Sequence, residues 1–191
     1  RITYMFLTPE NYFIGEGSGA NNTTGRYNTV VGYRAGEHNT EGSENVMLGY
    51  MAGNQNRSGN KNIFIGEGAG ELATGSMENV CIGTGAGTSN NGTGHLFLGA
   101  WSGTNNEGSG NVFIGSGAGH SMQGSNMLMI DNADLDPTQS LIDGKFDEKK
   151  IRFNANVGIN TEPDTAFSIK TTGNIEAFNV TETSDARYKT G

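Results

Sequence analysis

Apolar residues along this chain come in adjacent pairs, and the pairs recur at a fixed interval. The unit reads Asn, any residue, two apolar residues, Gly, two variable residues, Ala or Ser, Gly. It opens at Asn11, Asn28, Asn45, Asn62, Asn79, His95 and Asn111, so successive starts lie 17, 17, 17, 17, 16 and 16 residues apart. A short, regular period is the signature of stacked repeats. Each unit predicts one strand of three or four residues, rich in β-branched and aromatic side chains and bounded by Asn and Gly. The remainder is Gly, Asn, Thr, Ser and Glu, which is turn chemistry. So small a unit cannot bury its own apolar face. Stacking strand on equivalent strand, about 4.8 Å apart, builds a rod of roughly 30 Å.

Neighbouring side chains in a strand point to opposite faces. Phe13 and Ile14 therefore face opposite ways, as do Phe64 and Ile65. Two apolar rows imply two buried surfaces: the interior of the coil and a contact with another chain. The uniformly small row of Ser18, Ala35, Ala52, Ala69, Ala86, Ser102 and Ala118 fits close backbone approach, at a crowded axis or at a turn. The inference from these rows is an oligomeric fibre with cyclic symmetry, and three chains is the commonest arrangement for such rods. The expectation is an all-β fold: a homotrimeric parallel β-roll or β-helix rod of about seven 16–17-residue repeats, followed by a small β tip module.

The predicted organisation is a lead-in over residues 1–10, the rod over 11–119, the tip over 120–183 and a short terminal segment over 184–191. Met127-Leu128-Met129-Ile130 reads as a degenerate eighth strand. Asp143-Gly144 between apolar pairs predicts a tight hairpin. Residues 151–159 alternate strictly, Ile151, Phe153, Ala155, Val157 and Ile159 on one face, which predicts a half-buried strand. Further strands are expected at Phe167 and Ile169 and over residues 175–180.

Composition agrees with this picture. Gly accounts for 31 of 191 residues, more than twice the usual share of about 7 %. Only 34 % of residues are hydrophobic, too few for a large monomeric core. The net charge of −8 disfavours nucleic acid and anionic membrane surfaces as partners. No apolar run is long enough to span a bilayer. Cys81 is the single cysteine, so no intrachain disulfide can form, and its apolar neighbours speak against thiol catalysis.

The Asn-x-apolar-apolar-Gly-x-x-Ala units resemble the head repeats of trimeric autotransporter adhesins and the collar-like repeats of some phage fibres. The similarity covers about residues 11–119; the Gly-Ala-Gly closure and the 17-residue period are longer than in the usual head repeat. Near the end, Ser184-Asp185-Ala186-Arg187-Tyr188-Lys189 resembles the start of the endosialidase-type intramolecular chaperone, an auto-cleaving peptidase domain of fibres. Tyr188 stands where that family usually has an aliphatic residue. The resemblance implies that Ser184 attacks the carbonyl of Thr183 in a longer parent, with Lys189 as the general base of a Ser-Lys dyad. With only residues 184–191 of that domain present, no activity is expected from this chain.

Other candidate chemistry is sparser. Gly15-Glu16-Gly17-Ser18-Gly19 and its copies look like phosphate loops, but a strand, loop and helix context is required, and these are read as repeat turns. Asp131, Asp134 and Asp136 form an acidic loop whose spacing does not match an EF-hand; they are candidate ligand contacts rather than a metal site. No cofactor or metal is expected from sequence, although a trimer axis could gather three copies of one His. Variable residues inside a strict repeat mark positions that packing does not dictate. Tyr33, Arg34, Tyr50 and Trp101 thus form a candidate lateral sugar-binding surface, the competing reading being packing between chains. The tip, freed from the repeat, is the favoured place for ligand contact.

The functional expectation is a structural and adhesive fibre segment, extracellular, on a virion tail or a bacterial surface. Its partners would be its own copies and a cell-surface glycan or envelope receptor, with no nucleic acid and no membrane insertion. The alternatives are a tailspike-like glycan hydrolase, which would need paired carboxylates, and a passive spacer stalk.

Overall fold

The computed structural model describes residues 5–132 and 140–154. All of them fall within one compact unit, Arg1–Asn156. Among the described residues there are strands and turns and no helix. The strands are β1 (Met5–Leu7), β2 (Tyr12–Ile14), β3 (Thr29–Val31), β4 (Val46–Leu48), β5 (Ile63–Ile65), β6 (Val80–Ile82), β7 (Leu96–Leu98), β8 (Val112–Ile114), β9 (Met127–Ile130), β10 (Ile142–Lys145) and β11 (Lys150–Phe153). They form one sheet in chain order. Strands β2 to β9 are parallel, each residue pairing with the one a single repeat later. Strand β1 adds antiparallel at one edge, and β10 and β11 add antiparallel at the other. The chain is therefore a β-solenoid of about seven turns, as the period predicts.

Alternation decides what the solenoid buries. The middle residue of each three-residue strand points inward: Phe13 is 5 % exposed, and Val30, Met47, Phe64, Cys81, Phe97 and Phe113 are fully buried. Met129 of β9 continues the row. The small residues close the interior from the other side, with Ala35, Ala52, Ala69, Ala86, Ser102 and Ala118 fully buried. They therefore lie inside the coil, at the turn. Phe97 and Phe113 stack with centroids 5.1 Å apart and planes 5° from parallel, the ladder that identical stacked positions produce.

The first residue of each repeat is more than a strand boundary. Asn28 donates from its Nδ2 to Asn11 Oδ1 (3.2 Å) and to the Gly42 carbonyl (2.9 Å), and its backbone N–H also donates to Asn11 Oδ1 (2.9 Å). Asn45 and Asn62 repeat the arrangement. These fully buried amides clip each turn to the next strand, and burial without such partners would be costly. A second Asn row, eleven residues further on, runs through Asn22, Asn39 and Asn56: Asn39 donates to Asn22 Oδ1 at 3.4 Å and Asn56 to Asn39 Oδ1 at 3.0 Å. The change of period from 17 to 16 falls in the turn after this row. Asn62 reaches the Ser76 carbonyl 14 residues ahead, whereas Asn79 reaches the Gly92 carbonyl 13 ahead.

Glycine at the strand end is required by both conformation and space. Gly49 has φ +139°, and a Cβ there would stand 2.5 Å from the carbonyl oxygen of Gly66 in the next rung.

The Asp143-Gly144 pair corrects one expectation. Both residues lie within β10, and neither takes the left-handed backbone of a tight hairpin turn. Asp143 is 8 % exposed and accepts from Arg152 Nε (2.9 Å) and Nη2 (2.8 Å) on β11, which holds it in the sheet. The reversal comes at Phe146, whose carbonyl accepts from the Lys149 N–H at 3.3 Å. Of the predicted strand over residues 151–159, Lys150–Phe153 is seen as β11. It is not half-buried: Ile151 and Phe153 are both more than half exposed. The strands expected near Phe167, Ile169 and over 175–180 lie outside the described residues.

Candidate functional site

After each strand, two residues follow the terminal Gly. Tyr33, Tyr50, Glu67, Thr84 and Ala100 make one row; Arg34, Met51, Gly68, Gly85 and Trp101 make the next. Parallel pairing without slippage aligns each row along the edge of the coil. Tyr33 and Tyr50 stack, 5.5 Å between centroids and 9° between planes. Arg34 lies 5.5 Å from the Tyr33 ring centre and 3.7 Å from the Glu37 carboxylate. Trp101 is three rungs beyond Tyr50, separated from it by the rungs that carry Gly68 and Gly85. The two rings share a cleft of about 150 Å³ with Glu67, Glu71, Thr84 and Thr88.

The floor of this cleft is set by turn chemistry. Thr88 Oγ1 donates to the Gly68 carbonyl at 2.8 Å, and Thr104 Oγ1 donates to the Gly85 carbonyl at 2.9 Å. With no side chain at Gly85, the indole of Trp101 leans back over it; a Cβ there would run into the ring. Trp101 is 52 % exposed and Tyr50 50 %. Trp101 holds φ +59° and Met51 +53°, at a position where Gly17, Gly68, Gly85 and Gly117 stand in other rungs. A bulky side chain in that left-handed region costs about 1–2 kcal/mol.

Asp131 is not part of this group. Its Oδ1 accepts from the Asn132 N–H at 2.6 Å and its Oδ2 from the Leu141 N–H at 3.3 Å, so it fixes the approach to β10. Asp134 and Asp136 lie outside the described residues, as do Thr183, Ser184 and Lys189. Among the described residues, no group of three or more His, Cys, Asp or Glu is placed to hold a metal ion.

No family model, curated protein or solved structure matches this chain. The reading of the site therefore rests on its own geometry.

Departure from the repeat marks Tyr50 and Trp101 in the sequence but not Glu71 or Thr88, which line the same cleft. A signal was present: Glu37, Asn54, Glu71, Thr88 and Thr104 fall at one repeat position, and Asn54, Thr88 and Thr104 each donate to a turn carbonyl of the preceding rung.

His95 cannot serve as an axial ligand. It is 2 % exposed, Nδ1 accepts from the Asn111 N–H (3.1 Å), and Nε2 lies 3.0 Å from the Gly108 carbonyl, to which it donates. It copies the ladder Asn, with Nδ1 in the role of Oδ1 and Nε2–H in that of Nδ2–H. Burial lowers its pKa to about 4. Protonation would also set an Nδ1–H against the Asn111 N–H. Cys81 is equally enclosed, and burial pushes its thiol well above the ordinary range.

Proposed function

We propose that this chain is the structural and adhesive segment of a homotrimeric fibre, carried on a phage tail or a bacterial surface, that attaches to a target cell through glycans or other envelope components. One observation carries the reading. The outer face of the solenoid sheet bears two apolar rows that the single chain leaves open. Tyr12, Ile14, Val31 and Ile82 are 49 %, 41 %, 36 % and 37 % exposed, and Val46, Leu48, Ile63, Ile65, Val112 and Ile114 are half-buried on the same face. The stripe extends to β1, where Met5 and Leu7 pair with Ile14 and Tyr12 and are both at least half exposed. Soluble monomers rarely leave so continuous an apolar surface wet.

A second and third copy are the occupants that fit best. The rungs are equivalent, so one rotation about an axis along the stack brings every rung against its counterpart at once. Two rows per face offer one contact to each neighbour. A rigid trimer also multiplies each weak surface site by three and gains avidity. The parent's self-cleavage, Ser184 attacking Thr183 with Lys189 as base, belongs to the same reading and is supported by the motif alone. Hydrolysis of glycans is less favoured: it needs two carboxylates flanking a scissile bond, one of them held protonated as the acid, and although Glu67 and Glu71 both line the cleft, Glu67 lies exposed at its rim.

Light scattering tests the assembly. The expected mass is three times the 20.1 kDa chain. Replacing Leu48→Thr together with Ile65→Thr should lower that mass while leaving the β circular-dichroism signal in place. A monomeric mass for the unsubstituted chain would overturn the trimer.

A further inference from the structure

We infer that the cleft between Tyr50 and Trp101 is a binding site for one uncharged sugar ring. This rests on the attachment reading above and gives it a location, on the side of the rod rather than at its tip. Two flat aromatic groups face a common gap, and each is about half exposed, so both rings are open to a ligand. Aromatic faces pack against the C–H faces of sugars while polar groups at the edge take the hydroxyls. The polar groups here are the Glu67 and Glu71 carboxylates and the Thr84 hydroxyl. Carboxylates accept hydrogen bonds, and sugar hydroxyls supply the donors. None of the lining residues is cationic. A sialic acid, a uronic acid or a phosphorylated sugar would bring a like charge to two carboxylates with nothing to neutralise it. The volume of about 150 Å³ suits a single ring and is smaller than the clefts that enclose drug-sized ligands.

The repeat itself argues that the aromatic residues are not needed to build the coil. Gly fills the Trp101 position at Gly17, Gly68, Gly85 and Gly117, and Thr84 stands at the Tyr50 position. Trp101 also accepts a backbone conformation that Gly adopts more readily. Observed strain of this kind is a reason to look for a role of the side chain.

Trp101 is the single tryptophan of the chain, so its fluorescence reports on this cleft alone. The experiment applies the full chain to an array of neutral, amino-bearing and sialic-acid-terminated oligosaccharides, then titrates the best neutral binder while following tryptophan emission. Trp101→Gly and Tyr50→Thr are compared, each a residue the repeat already tolerates. The expected result is retention on neutral sugars, a saturable change in emission, and binding weakened about tenfold or more in both variants. Binding that leaves the emission unchanged and survives Trp101→Gly would place the sugar elsewhere, defeating the cleft while sparing the attachment reading. Preference for acidic sugars would likewise defeat it. Failure of the assembled chain to retain any glycan would remove the glycan reading with it.

Discussion

The second Asn row is interrupted once, and the interruption gives a quantitative test of how the solenoid is held together. Ala73 stands where Asn22, Asn39, Asn56, Asn90 and Asn106 stand in other rungs. On either side of it, Asn56 Oδ1 and Asn90 Nδ2 are buried and find no partner among the protein's own groups. An Asn at 73 would accept from one and donate to the other. Yet the single change Ala73→Asn should fail. Three residues on, Gly25, Gly42 and Gly59 give way to Ser76. A Cβ on Gly25 would stand 2.5 Å from Asn22 Oδ1, and at Gly42 and Gly59 the approach to the ladder oxygen is closer still. The Cβ of Ser76 therefore occupies the space of the amide oxygen, and the two substitutions belong together. Ser76 Oγ is itself buried without a partner. Ala73→Asn alone should destabilise by about 1–3 kcal/mol through overpacking. Ser76→Gly alone should be near neutral, since removing an orphaned hydroxyl offsets the backbone entropy of Gly, roughly 0.5–1 kcal/mol. The pair together satisfies two orphaned groups worth about 1–3 kcal/mol each, less the burial and ordering of one amide. The double variant should gain about 2 kcal/mol. Urea unfolding of all four proteins at one concentration closes the cycle, with an expected coupling of at least about 2 kcal/mol. Additive effects of the two changes would refute the shared-space argument.

Two further outcomes follow from buried groups. His95 is neutral in the fold and its pKa is lowered from 6.5 to about 4. The unfolded chain therefore binds the extra proton first, and stability present above about pH 6.5 falls as pH drops towards 4, by at most about 3 kcal/mol; His95→Asn should keep the ladder and flatten that part of the pH profile, and an unchanged profile would show that the ring does not carry it. Cys81 is fully buried with its thiol pKa raised by desolvation, so a thiol reagent at pH 8 should label it only at the rate of unfolding; rapid labelling of the native protein would contradict a closed interior.

Much of the fold was legible because a solenoid repeats its own answer. The spacing located every strand from β2 to β8, and Met127–Ile130 was visible as a weaker copy that became β9. Alternation was enough to set Phe64 and Ile65 on opposite faces; that Phe64 is the one inside was decided by the coil. The second Asn row was equally periodic, but its residues sit in turns, where Asn is expected for local reasons and draws no attention. At β10 the local signal misled: Asp143-Gly144 has the composition of a hairpin turn, and a bidentate partner on the next strand, Arg152, held it in the sheet. The candidate site was half legible. Tyr50 and Trp101 stood out as departures from the repeat, and Glu71 and Thr88 did not.

The residue pattern alone gave the β character seen in the described residues, where the rungs begin, and that neighbouring side chains of each strand take opposite faces, because period and alternation are properties of neighbours in sequence; which of the two faces the interior came from the winding of the coil. Only the tertiary structure decided which variable residues meet. Tyr50 and Trp101 are 51 positions apart yet line one cleft, since parallel stacking aligns residues one, two and three periods apart in rows along the coil. Ala73 and Ser76 are three positions apart, and their dependence on one another is written in the space between rungs. Contacts along the stack join residues whose sequence neighbours point elsewhere, so the pairing becomes visible only once the coil is wound.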